Sequence, residues 1–390
     1  LRAGALWADG YAVGTTSAMG DGMRMGGAGD LSADALDKEL DKLAAGISSS
    51  FSAEFGGVTF SCLSGDVDRV FELFSDVALR PRFDSERLAL WKGQSLEGIR
   101  RRVEDPSTVA SIAFTKLAYG ETPYGRVSTS KDITSIKRSD MIELHQRFVR
   151  PDGAMLVVTG DIDRAKVEAL ATKYFGSWKP RGSVMPPPPE VKDDPTPGIY
   201  FITLPFQQAS VKLGHLGVPR FTPDYPDIDV FNEIFGSSGF GSRLMKRVRT
   251  ELGLTYGVSG AIDESIEVLE QLQQKDPTSE ELSERKAAIA NSYIFNFSSA
   301  DEIAGRVARQ ELLHYPADYD QTYLPKIESV TARAVSEVAR NRWNPSKLLI
   351  VIVGNEQALA NLEAERAKTD SPLRNLPLSK PRFNETVVMQ

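Results

Sequence analysis

Between Gly236 and Tyr256 the chain reads GSSGFGSRLMKRVRTELGLTY, and this stretch holds the residue types best suited to chemistry. It opens as a Gly/Ser-rich loop of Gly236, Ser237, Ser238, Gly239, Phe240 and Gly241 and continues into a short basic helix that stops near Gly253. Arg249 and Tyr256 stand seven residues apart, two helical turns, but Gly253 interrupts the helix between them. The two side chains can therefore reach one space from different elements, the tyrosine from an extended segment over Leu254–Val258. A guanidinium and a phenol are both hydrogen-bond donors, and donors aimed at a developing oxyanion stabilise it without reorganisation. The plainer reading makes Arg249 a solvated helix-end arginine and Tyr256 a half-buried strand residue. The loop resembles a phosphate cradle in glycine content, but it lacks the following lysine and follows no parallel βα pattern.

Other chemistries find little material. Three histidines exist, His145, His215 and His314, none within helical reach of another, so neighbouring residues cannot build a His-rich zinc site. The chain has no H-E-x-x-H, no G-x-S-x-G and no G-x-x-x-x-G-K-[ST]. The single cysteine, Cys62, permits no internal disulfide and sits in the alternating run VTFSCLSG as a core position. A net charge of −7 argues against a nucleic-acid partner, and Arg100-Arg101-Arg102 reads as a solvated helix face. No run of 18 or more apolar residues suggests a membrane span, and no signal peptide is visible at Leu1.

The elements that must position the Gly236–Tyr256 corner follow from length and periodicity. With 390 residues, 41% of them hydrophobic and 25% charged, the chain suits two globular domains. Helices are expected over Leu31–Gly46 (capped at Asp30 or Ser32), Val67–Leu79, Asp84 onward, Met141–Phe148 and Ile162–Phe175. Ile47–Gly65 reads as two strands around Phe55-Gly56-Gly57, and Pro151–Gly160 as a turn feeding a buried strand. Residues 181–198, with Pro186-Pro187-Pro188-Pro189, read as a semi-rigid polyproline spacer between domains 1–180 and 199–390. Beyond it, Ile199–Leu204 and Ala209–Leu216 suggest a hairpin, and a helix follows near Tyr225–Phe235.

The second half echoes the first. RFVRPDGAMLVVTGDID at Arg147 is matched by RNRWNPSKLLIVIVGNE at Arg340, and the Val67 helix with its RPRFDSERL tail by IDESIEVLEQLQQKDPTSEEL at Ile262. The fold class is α+β: two homologous units, each a mainly antiparallel sheet flanked by helices. The repeat also predicts that residues are missing at Ala261/Ile262 and before Leu1, where one copy has strands that the other lacks.

GSRLMKRVRTELGLTYGVSGA, the doubled unit, the GDID and VGN strand ends and RPRFDSERL together resemble the M16 (pitrilysin-type) zinc peptidases. The likeness covers essentially the whole chain. It is closest to the two-domain subfamily that includes mitochondrial processing peptidase and the core subunits of respiratory complex III. The resemblance implies that Arg249 and Tyr256 engage substrate backbone and the tetrahedral intermediate, and that Gly236–Gly241 handles substrate. In that family the first half carries H-x-x-E-H and a later glutamate. Here those positions fall on Ser17-Ala18-Met19-Gly20-Asp21 and at or beside Gly98, next to Glu97.

Ser17, Gly20, Asp21 and Gly98 do not make a zinc site, so no cofactor is expected in this chain, and zinc is expected in a partner. The reading implied is a non-zinc, substrate-binding subunit of a heterodimeric zinc endopeptidase. It would supply Arg249 and Tyr256 in trans to an H-x-x-E-H subunit that cleaves unstructured peptides in a clamshell cavity. The rivals are a silent scaffold subunit like the complex III core proteins, and a stand-alone peptide-binding module. A bacterial periplasmic or cytoplasmic setting is expected.

Overall fold

The structure, a computed structural model, describes residues 1–180, 185–191, 195–237, 241–252 and 262–381. The first half runs α1 (Thr15–Met25), α2 (Ala33–Lys42), β1 (Gly46–Phe51), β2 (Gly56–Ser61), α3 (Val67–Leu79), α4 (Ser85–Arg101), α5 (Pro106–Tyr119), α6 (Ser130–Ser135), α7 (Arg138–Phe148) and α8 (Arg164–Phe175). The local signals act as anticipated. The Ser32 hydroxyl accepts from Ala35 N at the start of α2, and the Asp84 carboxylate from Glu86 N and Arg87 N at the start of α4. On β1, alternate residues Ile47, Ser49 and Phe51 turn inward. Ile47 and Phe51 join Met19 and Met23 of α1 and the Phe71 and Phe74 face of α3 in one core.

The second half holds β3 (Gly198–Thr203), β4 (Ser210–Gly214), α9 (Tyr225–Asn232), α10 (Arg243–Met245), α11 (Ile262–Gln274), α12 (Ser279–Tyr293), α13 (Ala300–Leu312), α14 (Tyr319–Ser329), α15 (Ala332–Arg342), β5 (Leu349–Gly354), α16 (Glu356–Ala367) and β6 (Leu378–Ser379). The expected β3–β4 hairpin does not form, because β5 lies between the two strands in the order β4-β5-β3-β6. β5 is antiparallel to β4 and parallel to β3, so this sheet is mixed rather than mainly antiparallel. The reason is in its sequence. LIVIVG is apolar at every residue but the last and buried at all of them, as a central strand covered on both faces must be.

The two faces of the sheet have different covers. Leu359 and Leu362 of α16 pack on Ile199, Phe201, Ile350 and Ile352. The other face is covered by α5 from the first half, whose Val109 and Ala110 meet Ile202, Val351 and Val353. The 186–200 region is tied at both ends: Trp7 Nε1 donates to the Pro186 carbonyl (2.9 Å), and the Tyr200 hydroxyl to the Thr196 carbonyl (2.8 Å).

A second expectation fails at Met155–Gly160. This segment corresponds to β5, yet it pairs with no strand among the described residues, and Leu156 and Val157 are 40% and 43% exposed. The β5 edges are held by β3 and β4, and no described strand plays those parts here. Instead the segment borders an open cleft of about 690 Å³ shared with β2 and with Asp301, Ala308 and Leu312 of α13.

Candidate functional site

The glycine loop is suspended between two helical segments of unusual pitch. α9 runs on into a π-helical turn over Glu233–Ser237, and α10 runs on into another over Lys246–Glu251. Such widened turns occur mostly as local interruptions, frequently at functional sites. The entry is fixed by aromatic packing: Phe235 stacks on Phe231 with ring centroids 5.5 Å apart and meets Trp343 at 5.7 Å. The exit is fixed by Ser242, fully buried, whose hydroxyl caps α10 by accepting from Met245 N. Leu244 and Val248, four residues apart on one face, bury against Phe235, so both sides of the loop share one apolar patch.

Behind the loop stands α12. Arg243 forms a two-pronged ion pair with Glu281, both contacts 2.7 Å. One turn further along α12, the Arg285 guanidinium lies against Gly241 so closely that a Cβ there would sit 2.1 Å from Nη1. A side chain at position 241 would therefore displace the guanidinium, the mobile end of the Arg285 side chain. Burial pushes the Glu233 carboxyl up from its usual range, and the positive charge of Arg285 pulls the other way. Sequence reading missed Arg243, Glu281 and Arg285. The only available signal was that Glu281 and Arg285 share a helix face at i, i+4.

Arg249 lies in the last turn of the helical segment that α10 begins, half-buried, where a cation favours the helix C-terminus. Its neighbour Arg247 bonds Glu251 (3.3 Å) and Glu267 (3.1 Å), which ties this segment to α11. Gly236 and Ser237 thus lie in the first π-helical turn and Arg249 in the second, the two segments that Phe235, Leu244 and Val248 pack together. Ser238, Gly239, Phe240 and Tyr256 lie outside the described residues, as does Ala261 at the expected discontinuity.

In the first half, Ser17, Gly20 and Asp21 lie on α1 and Gly98 on α4. Asp21 accepts a hydrogen bond from Trp91 Nε1 (2.7 Å), and Glu97 pairs with Arg100 at 3.5 Å. Gly20 packs directly on β1: a Cβ there would come within 2.7 Å of the Phe51 backbone nitrogen. The Ser49 hydroxyl closes the contact by donating to the Gly20 carbonyl (2.5 Å). A glutamate at this position has no room, so the residues present do not fit a zinc ion with its catalytic base. Among the described residues no group of three or more His, Cys, Asp or Glu is arranged to hold a metal.

Residues 135–266 match the family model described as the peptidase M16 inactive domain. The chain is 24% identical over 307 residues to an uncharacterized zinc protease of Mycobacterium tuberculosis, covering 72% of this chain and 70% of that protein. It is 20% identical over 361 residues to a Helicobacter pylori protein described as a non-peptidase homolog, covering 85% and 82%. A crystal structure of a peptidase M16 inactive domain from Pseudomonas fluorescens superposes with a TM-score of 0.82 at 24% identity, over 91% of this chain and 90% of that one.

Proposed function

We propose that this chain, which matches the peptidase M16 inactive-domain model over residues 135–266, is a non-zinc, substrate-binding subunit in a heterodimeric zinc endopeptidase. The observation that carries this reading is the contrast between the halves. At Gly20 the backbone of β1 fills the space of the catalytic carboxylate, whereas a buried cap, an ion pair and a guanidinium converge on Gly241, at the described end of the glycine loop. π-helical turns such as those flanking this loop are frequent at functional sites. The description of the Helicobacter relative as a non-peptidase homolog is in keeping with a silent first half.

In this reading the partner supplies an H-x-x-E-H zinc site. This chain supplies Arg249, with Tyr256, as donors to the substrate backbone and the developing oxyanion, and Gly236–Gly241 passes an unstructured peptide across the site. The chemistry of bond cleavage is then entirely the partner's. The test is the rate at which the H-x-x-E-H partner cleaves an unstructured fluorogenic peptide with and without this chain. Addition of the chain is expected to raise the rate, and Arg249→Ala to lower the assembled rate by roughly 10²–10³. Equal cleavage by the partner alone would leave this chain as a scaffold. Stoichiometric zinc and peptide cleavage by the purified chain would end the proposal outright.

A further inference from the structure

The loop between β4 and α9 carries an arginine with an unusual set of partners. Arg220 donates from Nη1 to the Tyr225 hydroxyl (2.7 Å) and from Nη2 to the Tyr319 hydroxyl (3.0 Å). Its guanidinium carbon lies 4.5 Å from the centre of the Tyr225 ring. Arg243, Arg306, Arg333 and Arg342 in the same half each pair with a carboxylate, whereas among the described residues none lies within ion-pair distance of Arg220. Burial pushes the Tyr319 phenol up, so it stays neutral and is no ion-pair partner. The nearby acid is Asp229, which accepts from the Tyr323 hydroxyl at 3.0 Å; burial pushes its carboxyl up, and the positive charge of Arg220 pulls the other way.

The surroundings are aromatic. Phe221, about half exposed, meets Tyr315 edge-on at 4.9 Å, and Tyr315 meets Tyr319 at 4.7 Å. Tyr319 in turn stacks on Tyr323 at 5.7 Å. Two of the five N–H groups of the guanidinium are committed to phenols, which fixes the fork in place. The other three have no acceptor among the described residues. A fixed guanidinium with no carboxylate in ion-pair distance among the described residues, beside flat aromatic rings, is an arrangement that receives a carboxylate flanked by hydrophobic groups.

We propose that Arg220 anchors a second subsite of this chain, one that takes a carboxylate of the bound peptide, either its C-terminus or an acidic side chain. This inference rests on the peptide-binding reading above and extends it. From Tyr225 to Gly236 the helical path is about 16 Å at 1.5 Å per residue, which about five extended residues span. A short extended peptide is therefore long enough to run the length of the helix from Gly236 to the Arg220 end.

The experiment is fluorescence anisotropy of the intact chain with three labelled unstructured decapeptides. One has an internal glutamate and a free C-terminus, one has the C-terminus amidated, and one has the glutamate changed to glutamine. The expected result is that one of the two changes weakens binding about tenfold, which identifies the source of the carboxylate. Arg220→Gln removes that preference and leaves the affinity of the weaker peptide unchanged. If Arg220→Gln fails to fold, the double variant Tyr225→Phe with Tyr319→Phe keeps the cation and releases the fork, and the preference again drops. A preference that survives in the variant, or its absence from the wild type, overturns the subsite while peptide binding stands. A wild-type chain that binds none of the three overturns the underlying reading as well.

Discussion

A side chain at Gly20 has nowhere to go, since backbone atoms of Ser50 and Phe51 line the space it would need. Grafting Ser17→His, Gly20→Glu and Asp21→His onto α1 is therefore expected to yield no zinc-dependent hydrolysis. Gly20→Glu alone should lower stability by about 1–3 kcal/mol, as overpacking does, read as a lower urea midpoint. A different residue-scale effect is set by Asp224. Arg342 donates to it from Nε (2.7 Å) and Nη2 (2.8 Å) and holds its carboxyl below the ordinary 3.8. A depressed folded pKa means stabilisation that is present above the unfolded value and lost as pH falls through the folded one. Asp224→Asn should thus be less stable than wild type at neutral pH, with the two urea midpoints converging below about pH 3.8. At this scale the sequence singled out the loop glycines and Arg249 as candidates. It did not reveal Arg285 or Arg220, whose partners are far away in the chain or are phenols in place of charges.

Among the elements, α5 was readable as a helix but not as to what it covers. Asp105 caps it and Pro106 opens it, yet nothing in PSTVASIAFTKLAY says that Val109 lies against Ile202, Val351 and Val353 of the other half. Val109→Asp would bury a carboxylate against the sheet, at a cost on the order of 3 kcal/mol or more. Hydrogen exchange should then show β5 amides losing protection while α3 keeps its own. The β3–β4 pairing was misjudged for a related reason. Two adjacent apolar runs suggest a hairpin, but the uninterrupted LIVIVG of β5 requires strands on both edges and takes the place between them. Local periodicity fixes each strand's character, and only the competition for burial fixes the order.

For the molecule as a whole, the internal repeat was legible because turn and strand-end residues recur: Gly160-Asp161 against Gly354-Asn355. The difference between the two copies was legible only in part. β5 is buried along its full length, whereas Met155–Gly160 faces the open cleft beside β2. Equivalent sequences thus have unequal surroundings, and the stability of the two halves should be unequal as well. Proteolysis under native conditions is expected to cut first between Met155 and Gly160 and to spare Leu349–Gly354, as mass spectrometry of the fragments would show.

That uncovered segment also bears on how the protein behaves at high concentration. MLVVTG is half β-branched, uncharged and free of proline, and among the described residues its peptide groups meet no neighbouring strand of the kind that silences them in β5. Two molecules meeting there can zip edge to edge, and each new arrival presents the same edge to the next. Light scattering should rise with a steep order in protein concentration, and Val157→Lys, a gatekeeper charge in the middle of the run, should flatten it. The same hexad that pairs with no described strand within one molecule is, in a crowd of them, a seed for fibres.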